Sequence, residues 1–549
     1  MKLHKPQAKD SGQRFAAELV KCTRCRSRLP LAEFPSAGHG YRRSWCKTCD
    51  HKRVADLRAR GLSKPKPVEK RPIPKQPIKQ KAPKSKKYVI TYAQNATPVH
   101  AEFLRALEAY CKHNNAVLLV IPGRYKNPTS VWSKRMQSDE WWDDALHPYL
   151  FNGRMMLGEH VGVFGDISIQ PTAVRPLTGF EVFVGKYSGV FGHPRLQLKT
   201  VPTAHRKYPR ILTTTGACTI ATNYTKSKAG KKGAAHHVLG AAVVEEADGK
   251  FHLRQLNALD DGSFIDIDTE YTPGIDPTTG EDTVSITPAA PAEALVCGDI
   301  HDAFRVQKTL DATIYAPDSI LNTTKAQRLV THDVLHFDTR LHHNIHDFQD
   351  RYSRLVRGDR CDLVQEEVAS AVDFLDSPPD WVEVVNIASN HDEAFDKWLK
   401  SADIKLDPKN ARFFHTIWAK WLEHKDETGE WVPAFELAYR MLSKKNRVRW
   451  VRRDEPYQVA DIYLNFHGDH GQNGSKGSLD AYARLGCKTI TGHSHQPGIL
   501  DGAYAGGVTG DLDQSYNFLP SSWMNSHVLV YANAKRCIIH VIDGEWRAK

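Results

Sequence analysis

Five short segments rich in His and Asp constrain this chain more than any other feature. They are GDIHD (298–302), THDVLHFD (331–338), SNHDE (389–393), FHGDH (466–470) and GHSH (492–495). Each follows an apolar, strand-like stretch or lies in a loop, so a fold that carries them can gather them at strand ends. Carboxylates, imidazoles and an Asn carbonyl are ligand types that suit Mn²⁺, Fe²⁺ or Zn²⁺, and a bridging Asp suits two ions at once. A lone His or Asp at a strand end is ordinarily a hydrogen-bonded polar residue. Five such segments in one half of a chain point to a paired-cation site.

The chain has 549 residues, which predicts three or four domains. Its 41% hydrophobic and 25% charged residues are ordinary globular usage and exclude a disordered or collagen-like chain. The first ten residues, MKLHKPQAKD, contain no apolar signal region, and no apolar run approaches the ~18 residues that span a bilayer. A cytoplasmic protein without a membrane partner is therefore expected. The net charge of +12 is unevenly held: residues 1–90 carry 25 Lys/Arg against 6 Asp/Glu, and the remainder 50 against 57. A basic arm on a mildly acidic body suggests a polyanionic partner, with DNA or RNA leading.

The arm begins with two C-x2-C pairs twenty residues apart, Cys22/Cys25 and Cys46/Cys49. Four thiolates so spaced predict a structural Zn²⁺ in a zinc ribbon over 1–60, since so short a segment has too small a core to fold unaided. Basic residues surround the proposed zinc, and Arg42, Arg43, Lys47 and Arg53 are the candidate DNA contacts. Residues 61–87 hold ten Lys/Arg, six Pro and one acid, and are expected to be a disordered linker. The other six cysteines are scattered singly and read as reduced thiols.

A strand over Tyr88–Tyr92, a helix over Val99–Lys112 and a strand over Ala116–Ile121 open a Rossmann-like α/β domain of uncertain role over 88–285. It lacks a G-x-G-x-x-G fingerprint, so it does not point to a nucleotide cofactor. Further strands are expected at Val161–Phe164, Gly179–Val184, His237–Val244 and Phe251–Leu256, and a junction over Asp266–Pro291. Residues 411–455 read as a helical insertion with Phe414, Trp418, Trp421 and Leu422 on one stripe.

The order and spacing of the five blocks resemble the calcineurin-like metallophosphoesterase superfamily, whose pattern runs D-x-H, G-D, G-N-H-D/E, an isolated H and G-H-x-H. The resemblance covers Glu293 to the C-terminus and implies a β-sandwich flanked by helices over 290–549. It implies one metal held by Asp299, His301 and His495, and a second held by Asn390, His467 and His493. Asp333 would bridge them, although Thr331-His332 replaces the usual Gly of the second block and leaves Asp338 as the alternative bridge. The resemblance also gives His391 the role of proton donor to the leaving oxygen, with Asp392 as its orienting partner. Mn²⁺ would fill the pair, with Mg²⁺ or Fe²⁺ as alternatives.

The zinc segment is similar to zinc modules found beside phage endonucleases. The α/β opening YVITYAQNATPVHAEFLRALEAYCKHNNAVLLVIPGRYKNPTS ahead of the phosphoesterase blocks is similar to the host-DNA-degrading pre-early nucleases of T-five-like bacteriophages, to which the zinc ribbon is an addition. It implies a phage-encoded, metal-dependent DNase acting in the host cytoplasm. A non-nuclease phosphodiesterase or phosphatase, and an inactive DNA-binding protein, are the alternatives. A homo-oligomer is compatible with the apolar helical stripe.

Overall fold

The computed structural model describes residues 3–4, 19–38, 41–43, 45–59, 79, 81–125, 141–204, 208–341, 344–358, 360–514, 517 and 519–548. The chain is mixed α/β and divides into two compact units, 1–73 and 74–549.

In the first unit, short strands at Leu19–Lys21 and Arg28–Pro30 pair antiparallel, and a helix covers Lys47–Ala59. Its only sizeable apolar cluster among the described residues centres on Cys22, Phe34 and Cys46. A core this small needs a second source of stability.

The second unit opens with β1 (Lys87–Gln94), α1 (Ala101–His113) and β2 (Val117–Gly123). β1 and β2 are adjacent and parallel, as a β-α-β crossover requires. Helix α1 forms because Phe103, Leu104, Leu107 and Tyr110 recur on one face and are all buried, while the His100 ring caps its first turn. Of the expected linker, residues 79 and 81–87 are described and belong to this unit: the N–H of Lys79 donates to Leu150, and Tyr88 Oη to Pro83. Residues 61–78 lie outside the described ones.

The chain continues through β3 (Arg154–Met156), β4 (Val161–Phe164), β5 (Ser188–Phe191), β6 (Gln197–Val201) and β7 (Arg210–Thr214). The strand expected at 179–184 is instead a four-residue helix, Glu181–Val184, ended by Gly185 at φ +58°. β8 (Gly240–Ala247) and β9 (Lys250–Asn257) pair as a hairpin and join the first sheet in the order β9-β8-β1-β2. The junction expected at 266–291 is also structured. β10 (Phe264–Asp266), β11 (Thr269–Ile275) and β12 (Asp282–Pro288) form a three-stranded antiparallel sheet whose turn residues supplied the loop-like composition.

The next half supplies β13 (Ala294–Val296), β14 (Arg328–Thr331), α2 (Val364–Asp376), β15 (Glu383–Ile387) and α3 (Asp392–Ser401). It continues with α4 (Ala411–Thr428), α5 (Ala434–Leu442) and β16 (Arg449–Val451), so the expected helical insertion ends in a strand. Short strands follow: β17 (Gln458–Val459), β18 (Ile462–Tyr463), β19 (Lys488–Thr491), β20 (Gly498–Leu500) and β21 (Ala503–Ala505). β22 (Ser526–Val530) and β23 (Arg536–His540) complete the unit.

β16-β15-β14-β13-β22-β23 form a six-stranded sheet, parallel from β16 to β13. Its side chains alternate as a strand demands. Leu295, Leu329 and Val384 face a helix-covered core with α2, α3, α4 and α5, whereas Val296, Val330 and Val385 face a second core shared with Ile462, Ile490, Ile499 and Leu198. That second core is built with a ten-stranded sheet, ordered β17-β18-β19-β21-β20-β6-β7-β5-β4-β3. Within it β6 pairs antiparallel with β20, Leu198 opposite Ile499. Residues from both sides of the domain boundary expected at 285–290 thus share one sheet, because strand pairing between distant segments leaves no local mark in sequence.

Candidate metal centre

All five His/Asp blocks fall beside the ends of strands in this second unit. Asp299 and His301 follow β13, Asp333 follows β14, Asn390 and His391 lie between β15 and α3, His467 follows β18, and His493 and His495 follow β19. Pairing continues past the strands: the N–H groups of Ile300, His301 and Asp302 donate to the carbonyls of His332, Asp333 and Val334. This sets the first two loops side by side. Four of the gathered residues sit at positive φ, His301 at 48°, Asp333 at 43°, His493 at 65° and His495 at 55°. Such backbone geometry is costly for a residue with a Cβ and is common at functional sites.

The side chains form two overlapping groups. In one, His495 Nε2 lies 3.1 Å from Asp299 Oδ2 and 2.9 Å from His301 Nε2. In the other, His467 Nε2 lies 3.1 Å from Asp333 Oδ2 and 2.9 Å from Asn390 Oδ1, which is 3.1 Å from His493 Nδ1. Asp333 Oδ2 is also 4.0 Å from His301 Nε2, so this carboxylate stands between the two groups. Asp299/His301/His495 and Asp333/His467/His493 each offer ligand atoms close enough to hold one metal ion. Asp299 Oδ1 is buried without a hydrogen-bond partner, as a carboxylate oxygen would be if a cation were its partner. The donors present fit a divalent pair.

Asp338, the alternative bridge, is elsewhere engaged: its carboxylate takes hydrogen bonds from Arg354 and Arg360. The expected partner of His391 is likewise corrected. Asp392 accepts from the N–H of Leu335 and from Asn386 Nδ2, whereas His391 Nδ1 lies 2.8 Å from the carbonyl of His336. Asp392 opens helix α3 facing inward, so its oxygens meet the backbone of the neighbouring loop instead of the ring before it. A carbonyl only accepts, so His391 Nδ1 carries a proton and Nε2 is the nitrogen left for chemistry.

Burial and neighbours set the charges. Burial and the surrounding imidazoles hold His301 well below the usual His range. Burial opposes ionisation of Asp333, but His467 and His391 outweigh it and hold the carboxyl well below its ordinary value. His467, which burial alone would lower, is pushed up to about 9 by Asp333 and Asp299. Burial lowers His336 to about 3, so its neutral ring can accept at Nδ1, 2.9 Å from His301 Nδ1. That contact orients His301 as the partner of a ligating His does.

Two supports had no signal in the motifs. Arg453 clamps two of the blocks together, bonding Asp469 at 2.6 and 2.9 Å and Glu393 at 2.7 and 3.1 Å. Trp523 stands edge-on to His495, with ring centroids 4.1 Å apart. A cleft of about 860 Å³ opens over the site, lined by Asp333, His391, His493, His495, Arg360 and Lys397 among others.

In the N-terminal unit the four thiols Cys22, Cys25, Cys46 and Cys49 converge, their sulfurs all within 4.8 Å of one another, a cluster that could bind zinc. Cys22 and Cys25 lie in the turn between the two short strands, and Cys46 and Cys49 at the start of the helix. Burial resists ionisation of Cys22, yet the N–H groups of Cys25 and Cys46 outweigh it and bring the thiol down to about 6. Lys47 is exposed at the helix start, while the side chains of Arg42, Arg43 and Arg53 lie outside the described residues. Of the other thiols, Cys218, Cys297 and Cys537 are buried and free.

No family model matches the chain. Protein A1 of Escherichia phage T5 is 31% identical over 477 residues, spanning 84% of this chain and 83% of that protein. The chain belongs to the family of phage T5 protein A1. This A1-family chain is also similar to two crystal structures of Chaetomium thermophilum Vps29, one of them with a cyclic peptide. They share 10% and 11% identity with it, covering 37% of this chain and 96% of Vps29, at TM-scores of 0.19 and 0.17. Among the described residues of the A1-family chain, no helix is long and apolar enough to cross a membrane.

Proposed function

We propose that this A1-family protein is a two-metal deoxyribonuclease that hydrolyses DNA phosphodiester bonds in the host cytoplasm. The observation that carries the reading is the position of Asp333, whose Oδ2 lies 3.1 Å from His467 of its own ligand group and 4.0 Å from His301 of the other. Asp299, His301 and His495 would hold one ion and Asn390, His467 and His493 the other, with Asp333 shared. Two divalent cations, Mn²⁺ in the first instance, would polarise the phosphoryl oxygens and acidify a water for in-line attack.

The chain's own groups do the rest. His336 fixes His301 through the Nδ1 contact, and the Arg453 clamp holds the loop of His467 against the start of α3. The carbonyl of His336 holds the Nδ1–H of His391 and points Nε2 to the cleft, so the proton handed to the departing oxygen would be the second one of the protonated ring, carried on Nε2, which leaves neutral His391 with its proton on Nδ1. The cleft, at about 860 Å³, admits more than a single phosphate.

The polymeric substrate is favoured by the charge split. Residues 1–90 concentrate positive charge in a chain whose remainder is acidic, and each phosphate neutralised by Lys or Arg releases a counterion. A small phosphoester gains nothing from such an arm. The thiol cluster would hold a structural Zn²⁺ that shapes it. Incubating the full chain and Mn²⁺ with linear and circular DNA tests the reading; degradation abolished by Asp333→Asn is expected. DNA left intact by a chain that rapidly hydrolyses an aryl phosphate would overturn it.

A further inference from the structure

Beside the metal cleft lies a second cavity of about 660 Å³ walled by Trp418, Trp421, Trp431 and Trp450. We propose that it receives an unpaired nucleobase of a DNA strand whose backbone lies over the metal centre. The proposal rests on the nuclease reading and narrows its substrate to DNA with a locally single-stranded segment.

The walls come from α4, from the connection to α5, and from β16. Trp421 packs against Trp418 and Trp431 with centroids 5.4 and 4.9 Å away, and its indole N–H donates to the Val432 carbonyl, which fixes the ring. Flat, rigid aromatic surfaces of this kind stack any base without regard to sequence. Polar side chains stand among the aromatic walls: Lys397, Lys400 and Glu436 also line the cavity, so a base edge, which carries both donors and acceptors, finds polar groups beside the rings.

Charge and position agree. Lys400 lies over the Trp421 ring at 5.4 Å, and exposed Lys397 lines both this cavity and the metal cleft. Four of the five acids that line the cavity are engaged, Asp392 by the N–H of Leu335, Glu393 by Arg453, Asp396 by the N–H of Ala434 and Glu436 by Arg440; Asp454 is the fifth. Helix α3 starts next to His391 and carries Lys397 and Lys400 along the cavity. At 1.5 Å rise per residue, His391 and Lys397 are about 9 Å apart along the helix axis, a span that one strand passing from the candidate metal centre to the cavity can cover. A base within a duplex is stacked on both faces and cannot enter, whereas an unpaired one can swing out.

The test is 2-aminopurine fluorescence in a single-stranded oligonucleotide bound to the full chain in EDTA, a readout independent of cleavage. Quenching by the unaltered chain is expected, with loss of most of it in Trp431→Ala and return in Trp431→Phe. Trp431 is 49% exposed, so its truncation should spare the fold, and Trp418→Ala serves as the second variant. Absence of quenching in the unaltered chain, or full quenching in both alanine variants, overturns the proposal. A chain that quenches the probe but never cuts DNA refutes the nuclease reading instead, and one that cuts without quenching refutes only this pocket.

Discussion

The backbone N–H of His493 donates to Asp299 Oδ2 across 2.7 Å. This bond joins the loop after β19, in the ten-stranded sheet, to the loop after β13, in the six-stranded one. The two groups of side chains that could hold metal ions therefore depend on how the two sheets are aligned. Asp299 Oδ2 also faces His495 Nε2 at 3.1 Å, so a backbone and a side-chain nitrogen together orient this carboxylate.

Gly492 shows how close the approach is. A Cβ there would stand 2.1 Å from Asp299 Oδ1, closer than any real contact. Gly492→Ala must displace the Asp299 carboxylate, so Mn²⁺ affinity should fall by at least the ~10–100-fold of a lost supporting contact. Calorimetric titration with Mn²⁺ checks this, and unchanged affinity would show that Asp299 is not a ligand.

His391 and Asp333 should separate in their effects. His391→Asn is expected to lower kcat by about 10²–10⁴, the usual worth of a general acid, with two Mn²⁺ still bound per chain. Asp333→Asn should lose bound metal as well as turnover. Equilibrium dialysis beside single-turnover cleavage distinguishes the two.

Glu245 supplies a pH dependence remote from the metal centre. It is buried and pairs with Lys87 and Arg254, both at 2.8 Å. Burial would raise its pKa, but Arg254 and then Lys87 outweigh this and hold it well below the ordinary Glu value. A depressed pKa contributes stability above the unfolded value of about 4.3, and loses it as pH falls below that. Glu245→Gln should therefore cost on the order of 3 kcal/mol at pH 7. The deficit should shrink as pH falls below about 4, where the unfolded carboxyl takes up a proton while the native one still resists it. Chemical denaturation at a series of pH values measures it.

The thiol cluster should bind one Zn²⁺ per chain, retained through gel filtration and released by a strong chelator. Cys46→Ser removes a buried member and should abolish that zinc while leaving Mn²⁺ binding by the other unit intact. Elemental analysis gives the ratio, and a variant that keeps its zinc would exclude Cys46 from the ligand set.

The residues that meet at the candidate metal centre were legible because each contributing loop is a short local motif, whatever the chain does between motifs. Asp299, His301, Asp333, Asn390, His467, His493 and His495 all converge for that reason. What lies between was less legible. Leu198 and Ile499 are opposite one another in a ladder, but 300 residues of intervening chain hide the pairing. Arg453 and Trp523 lie outside any motif and gained meaning only from their neighbours Asp469 and His495. Asp392 misled because adjacency in sequence is not adjacency in space: a helix start turns consecutive side chains in different directions. The Val-containing stretch 179–184 read as a strand because apolar composition in a short run does not separate strand from helix.

The pairing of β6 with β20 bears on how this protein can be taken apart. The half that carries the candidate metal ligands is not a portable cassette. Excising everything before residue 290 would strip β3 to β7 from the ten-stranded sheet and leave β20 as a raw edge beside the loop that carries His493 and His495. Attempts to trim the chain to a minimal catalytic core should therefore keep residues 154–214, and any fusion or split-protein design should cut outside that shared ladder.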